Sequence, residues 1–233
     1  MDSAATKTGW AWLGAATFCA ALRWCLTSTT APYREVLPAT WFEGTSFGLF
    51  RLTANASASL LLLAVVPLLI AWRMGPPDGA IRGMGLGGPV PFPCWTLVPA
   101  SAALAASGWW AGSFDAVRNA YPVWPDAGPN LPNLLLSCAL VGIVLFSTEV
   151  LYRGVALHAM HRAFGIRAIF LILPVYVLDH VGAPWPELVG SAFTGIALGW
   201  LSLRAKSLWP GFLLHLSFAW AVDLGALHST GRL

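Results

Sequence analysis

From about Pro132 to Phe164 the chain carries one long apolar stretch, opening on Leu134-Leu135-Leu136 and Val141-Gly142-Ile143-Val144-Leu145-Phe146. A stretch of this length and composition reads as a helix in lipid, because without water every backbone polar group must be satisfied inside the segment. Yet Ser147-Thr148-Glu149-Val150-Leu151-Tyr152-Arg153-Gly154 lies inside it. Positions i and i+4 share a helix face, so the Glu149 carboxylate and the Arg153 guanidinium can meet. Either charge alone in hydrocarbon costs about 3 kcal/mol or more, and ionisable groups at that depth face a protein interior and mark function.

Composition extends this reading to the whole chain. Of 233 residues, 57% are hydrophobic and only 10% charged, where a soluble domain carries roughly 25% charged residues. The expected fold is therefore all-α, a polytopic transmembrane helical bundle of about seven spans, between six and eight. Thirteen Trp suit aromatic belts at the two membrane interfaces. The net charge of +3 is spread out, with no basic run, and gives nucleic-acid binding no support. Cys19, Cys25, Cys94 and Cys138 sit in or beside apolar segments without paired spacing and read as small buried hydrophobes.

Taken in order, Gly9 to Leu26 reads as a first span, retained rather than cleaved because no clean small-x-small site follows it. Arg23 near its end snorkels or pairs. Residues 28 to 54 read as a mixed loop with amphipathic surface pieces. Ser57 to Trp72 is a second span, kinked by Pro67. Arg73 to Pro91 is a Gly/Pro-rich loop whose glycines lack the context of a phosphate loop. Phe92 to Trp110 is a third span and Ala111 to Leu131 a polar loop. After the long fourth span, Gly165 and Ile166 make a tight turn. A fifth span runs from Arg167 to about Val181, and Gly182-Ala183-Pro184-Trp185-Pro186 ends it. Glu187 to Leu203 is a sixth, whose small residues (Gly190, Ser191, Gly195, Gly199 among them) permit close helix packing. Leu208 to about Leu227 is a seventh. Lys7, Arg73, Arg82, Arg162, Arg167, Arg204 and Lys206 fall on one side and favour a cytoplasmic N-terminus with an external C-terminus. No repeat divides the chain, so 1–233 reads as one membrane domain.

Three C-terminal spans carry titratable residues at depth: Glu149 and Arg153 on the fourth, Asp179 and His180 on the fifth, His215 and Asp223 on the seventh. If the fourth and fifth form a hairpin about Gly165, Glu149 lies sixteen residues before the turn and His180 fifteen after it. With a constant rise of about 1.5 Å per residue the two side chains end at one level, as do Tyr152 and Tyr176. His215, some seven residues into its span, counts as shallower. Such a group suits hydrolysis: Glu149 as base, kept ionised by Arg153, with His180 positioning the water and His215 donating to an oxyanion. His158 and His161, in the last turns of the fourth helix, read as interfacial, and Asp223 as a cap or surface residue.

The Thr148-Glu149-Val150-Leu151-Tyr152-Arg153-Gly154 block, Tyr176-x-x-x-His180 and His215, in that order, resemble the CAAX prenyl protease and bacteriocin-processing (CPBP, or ABI) family of glutamic-type intramembrane proteases. Its pattern is Glu-Glu-x-x-x-Arg, Phe-x-x-x-His and His-x-x-x-Asn. The resemblance covers roughly 132–225, a catalytic core, and leaves 1–131 as variable N-terminal spans and loops. Two positions depart: Thr148 stands at the first glutamate and Ala219 at the asparagine. The resemblance implies an endopeptidase of a bacterial inner (plasma) membrane acting on a membrane-anchored protein or peptide, whose target is a C-terminal sorting tail, a prenylated CAAX-type tail or a leader peptide. Thr148 keeps open a second reading, an inactive CPBP-like scaffold or immunity protein. A small-molecule or proton carrier finds no repeat symmetry to support it. Family members are often called metalloproteases. Here Glu149, His180 and His215 could supply two His and a carboxylate, but HExxH is absent and no helix carries paired ligands, so no metal or other cofactor is expected.

Overall fold

A computed structural model of the chain describes residues 3–27, 45–74, 85–87 and 94–233, all helix and connecting turns, with no strand among the described residues. The helices are α1 (Ser3–Thr27), α2 (Thr45–Ser59, continued by a π-helical Leu60–Val65 and by Val66–Met74), α3 (Cys94–Gly112) and the short α4 (Asp115–Arg118). The long α5 comprises Leu131–Glu149, a π-helical Val150–Ala156 and Leu157–Phe164; α6 (Ala168–Leu178), α7 (Trp185–Ala205) and α8 (Trp209–Ser229) follow.

Among the described residues, four stretches are long and apolar enough to cross a membrane: Phe47–Met74, Leu131–Leu178, Trp185–Ala205 and Trp209–Ser229. The second contains a reversal at Gly165–Arg167, where Gly165 adopts φ 57, the left-handed conformation that glycine takes at no steric cost. Beyond it α6 runs back along α5, placing the Tyr152 and Tyr176 rings edge to face with centroids 5.2 Å apart. The level counted from the turn is therefore the level observed. At 11 residues, about 16 Å, α6 is too short to cross alone, and His180 lies in the turn that follows it rather than within a full span.

The expected first and third spans form as helices at Ser3–Thr27 and Cys94–Gly112, though both are less apolar than the four crossing stretches. The second begins earlier than Ser57, at Thr45, and its π-helical turn ends just before Pro67. There the Val66 N–H reaches back to the Leu61 carbonyl, so the proline's missing donor is met by rewinding of the helix. Residues 28–44, most of the Gly/Pro-rich loop, and the Cys94 side chain lie outside the described residues.

Small residues set two close helix contacts. A Cβ added to Gly195 would lie 2.5 Å from Leu173 Cδ1, and one on Gly199 would lie 3.3 Å from Ile169 Cγ2, so α7 beds on α6 along the expected small-residue face. The other contact was not anticipated. Gly108 and Gly112 of α3 would each place a Cβ 2.4 Å from a carbonyl of α8 (Phe218 and Val222), while Gly225 of α8 would approach the Trp109 carbonyl at 2.3 Å. Backbone thus meets backbone, and α3 fixes the helix that carries His215.

Candidate active site

The site begins with an irregularity in α5. The hydroxyls of Ser147 and Thr148 turn back onto their own helix, donating to the Ile143 and Val144 carbonyls at 2.7 and 2.9 Å. The next seven residues, Val150–Ala156, wind as a π-helix and are all buried. Such windings misplace carbonyls that a regular ladder would satisfy. Here the Arg153 carbonyl accepts from Ser202 Oγ of α7 at 2.8 Å and from His158 Nδ1 at 2.9 Å, and His158 also reaches the Gly154 carbonyl at 2.9 Å. His158 is therefore a structural group that stabilises the rewound helix. His161, three residues on, is exposed.

Glu149 immediately precedes this segment and its side chain is fully buried. Its Oε1 lies 3.3 Å from Arg153 Nη1 and 2.9 Å from His215 Nδ1. The shallower depth counted for His215 does not hold: the ring reaches the carboxylate directly. Because an ionised carboxylate only accepts, His215 Nδ1 carries the hydrogen, and in the neutral ring Nε2 presents a lone pair. Oε2 has no hydrogen-bond partner and rests against Gly211 of α8, where a side chain would begin 3.6 Å away.

Arg153 lies with its guanidinium carbon 3.8 Å from the centroid of the Tyr176 ring, a desolvated cation–π contact worth about 2 kcal/mol. The other partner of Tyr176 is His180, at 4.6 Å between ring centroids. His180 Nδ1 donates to the Tyr176 carbonyl at 2.8 Å, so its Nε2 is likewise the free nitrogen. The structure thus joins Glu149, Arg153 and His215 by direct contact and brings in His180 through the Tyr176 ring. Tyr152, Arg153, Tyr176, Gly195 and Gly199 line a cavity of about 10 Å³, room for a single water. The Tyr152 and Tyr176 hydroxyls and both Arg153 terminal nitrogens have no hydrogen-bond partner.

The remaining acids of these helices lie apart from the Glu149 contacts. Asp179 pairs with Arg23 of α1, not with His180. Asp223 is 7% exposed, so the surface or capping expectation fails; it sits near Glu187, whose carboxylate accepts from the Tyr121 hydroxyl at 2.6 Å. Burial, reinforced by that carboxylate, pushes the Tyr121 phenol well above its usual range, and it remains a donor. Nothing in the local sequence distinguished the pairing of Asp179, because its partner lies 156 residues away.

Residues 129–221 match the family model described as type II CAAX prenyl endopeptidase Rce1-like. Through that segment the chain is similar to the CPBP family. The match includes Glu149, Arg153, His180 and His215, and ends before Asp223. No curated protein and no solved structure matches the chain. With four stretches among the described residues able to cross a membrane, the chain is an integral membrane protein, and its matched segment is similar to an intramembrane CAAX-type protease family. As a metal centre the donors fit poorly. Among the described residues no three His, Cys, Asp or Glu side chains form a group able to hold an ion, and the oxygen of Glu149 nearest His215 is already shared with a guanidinium.

Proposed function

We propose that the chain is an intramembrane endopeptidase that hydrolyses a peptide bond near the membrane anchor of a protein substrate, using water activated by a Glu149–His215 dyad. The observation that carries this reading is the 2.9 Å contact from His215 Nδ1 to Glu149 Oε1, made between helices at the bottom of a buried polar cluster. Glu149 is sealed, whereas the His215 side chain is 17% exposed. In this reading the group that meets water is the imidazole, with the carboxylate behind it holding the tautomer and sharing the charge. This reverses the order in which the sequence alone would assign them.

In the proposed reaction His180 Nε2 holds the water and His215 Nε2 takes its proton as the water oxygen bonds to the scissile carbonyl carbon. The protonated imidazole then donates to the oxyanion, a term of about 3–4 kcal/mol in enzymes with one such donor. It returns the proton to the leaving nitrogen as the C–N bond breaks. Arg153 balances Glu149 and is held by Tyr176. No step passes through a metal. The site of action is proposed to be a bacterial inner membrane, and the substrate a sorting tail, a prenylated CAAX-type tail or a leader peptide.

One observation favours a second reading, a scaffold that has lost the reaction. Thr148, where the family pattern has its first glutamate, bonds its own helix and puts no carboxylate on that face. Proteoliposomes carrying membrane-anchored reporters of the three tail types, with products read by mass spectrometry, decide between the two. The enzyme reading expects cleavage by the wild type, lost in Glu149→Gln and in His215→Asn. The scaffold reading expects none from the wild type, with cleavage appearing only in Thr148→Glu.

A further inference from the structure

His180 stands in an awkward place for a residue that must hold a water. α6 ends at Leu178, and the turn that follows runs to Gly182 at φ 97. The turn itself keeps only short-range backbone bonds, from the His180 N–H to the Val177 carbonyl and from the Val181 N–H to the Leu178 carbonyl, each at 3.0 Å, and a reacting group displaced by about 1 Å loses on the order of a hundredfold in rate. The turn is fixed from outside by α1, which lies wholly outside the family-matched segment. Arg23 Nη2 bonds the Asp179 Oδ1 at 2.5 Å and approaches the Asp179 carbonyl at 3.4 Å. Arg23 Nη1 donates to Asn55 Oδ1 of α2 at 2.9 Å. On the other side of His180, the Trp24 indole N–H donates to the Val181 carbonyl at 3.3 Å. Two consecutive residues of α1 therefore grip the residues immediately before and after the histidine. The Arg23 and Asp179 side chains are only 11% and 3% exposed, so that half of the grip is shielded from the surroundings, while Trp24 is 41% exposed.

We infer that Arg23 and Trp24 are positioning residues for His180: the N-terminal helix, through Asp179 and Val181, sets the place and ring orientation of a histidine supplied by the family core. The inference rests on the proposed role of His180 for its effect on cleavage, but the placement itself can be measured without turnover.

Histidine side chains labelled with 15N in the purified protein, in detergent micelles, give a spectrum of five rings, and His180→Gln identifies the signal of His180. Arg23→Ala is expected to shift the His180 ring signals while leaving those of His158 in place, and the exchanged pair Arg23→Asp with Asp179→Arg to bring them back toward the wild type. In the cleavage assay kcat is expected to fall by about tenfold to a hundredfold with KM within about threefold. Trp24→Phe, which keeps the ring and removes only the N–H, is expected to shift His180 less and in the same direction, and it serves if Arg23→Ala does not fold. An unmoved His180 signal in both variants overturns the inference, as does an equal movement of His158 and His180, which reports general loosening. If His180→Gln cleaves like the wild type, the proposed hydrolytic role of His180 falls, while the ring signals still decide whether α1 places it.

Discussion

Two buried pairs of arginine and carboxylate lie within this bundle, and they are finished differently. In the pair between α1 and the end of α6, Arg23 directs both terminal nitrogens at acceptors, Asn55 Oδ1 on one side and Asp179 on the other. In the pair within α5, Arg153 approaches Glu149 at 3.3 Å without an aligned hydrogen bond, faces the Tyr176 ring, and leaves Glu149 Oε2 without a partner. A half-satisfied buried network is costly in low dielectric, and the first pair leaves only Arg23 Nε without a partner. The first pair has the composition of a joint. The second, with a titratable ring attached and hydrogen-bonding capacity left over, suits the reactive role proposed for it.

The largest expected effect separates the two pairs by function. Glu149→Gln keeps the shape of the side chain but removes the charge that holds His215 in its tautomer, and cleavage should fall by about 10⁴, as when the orienting acid of a catalytic triad is replaced by its amide. Asp179→Asn should leave cleavage within about a hundredfold, because it acts only through position. Initial rates on one anchored reporter measure both. Equal losses would erase the distinction between joint and site.

Stability should separate them next. Arg153→Met strands a fully buried carboxylate, and unfolding in detergent should show a loss of about 3–5 kcal/mol. Removing both charges, Glu149→Gln with Arg153→Met, should restore a good part of it, since an apolar replacement of a buried pair is often neutral. A double variant no more stable than Arg153→Met alone would place the cost in lost packing against Tyr176 rather than in the charge.

These contrasts also mark what the sequence could and could not disclose. A constant rise per residue made the Tyr152–Tyr176 level readable from a turn at Gly165, and a charged i,i+4 pair in an apolar run pointed to the site before any fold was known. Depth counted along one helix failed for His215, because it takes no account of how α8 crosses α5. The π-helical winding at Val150–Ala156 depends on Ser202 and His158 receiving a displaced carbonyl, and no local pattern signals it. The spacing of Gly108 and Gly112 is visible in the sequence, but their partner Gly225 is over a hundred residues away. Long-range polar pairing such as Arg23 with Asp179 is the same problem in its plainest form: both charges are evident and nothing nearby says that they meet.

A smaller effect tests the packing that supports the site. Val at position 195 would have to displace Leu173 and the Tyr176 ring, since even a Cβ there meets them at 2.5 and 3.0 Å. Gly195→Val should cost about 1–3 kcal/mol in detergent unfolding and should lower cleavage, because the ring it moves is the one that holds Arg153 and touches His180. Unchanged cleavage would show that the site tolerates a shift of Tyr176, and would weaken the view that this ring links the two halves of the cluster.

The smallest effect asks which part of Tyr176 matters. Its hydroxyl is buried without a hydrogen-bond partner, whereas its ring face lies 3.8 Å from the Arg153 guanidinium carbon. The hydroxyl lies within electrostatic reach of Arg153 and Thr194, so replacing it by hydrogen trades that interaction against a relieved desolvation penalty, and Tyr176→Phe should change stability by less than about 1 kcal/mol in either direction. The family pattern carries Phe at this place, in keeping with a ring that works through its face. Cleavage should stay within about threefold of the wild type. A fall of tenfold or more with unchanged stability would instead make the hydroxyl a donor in the reaction, and would move the oxyanion from His215 into the small cavity that Tyr152, Arg153 and Tyr176 share.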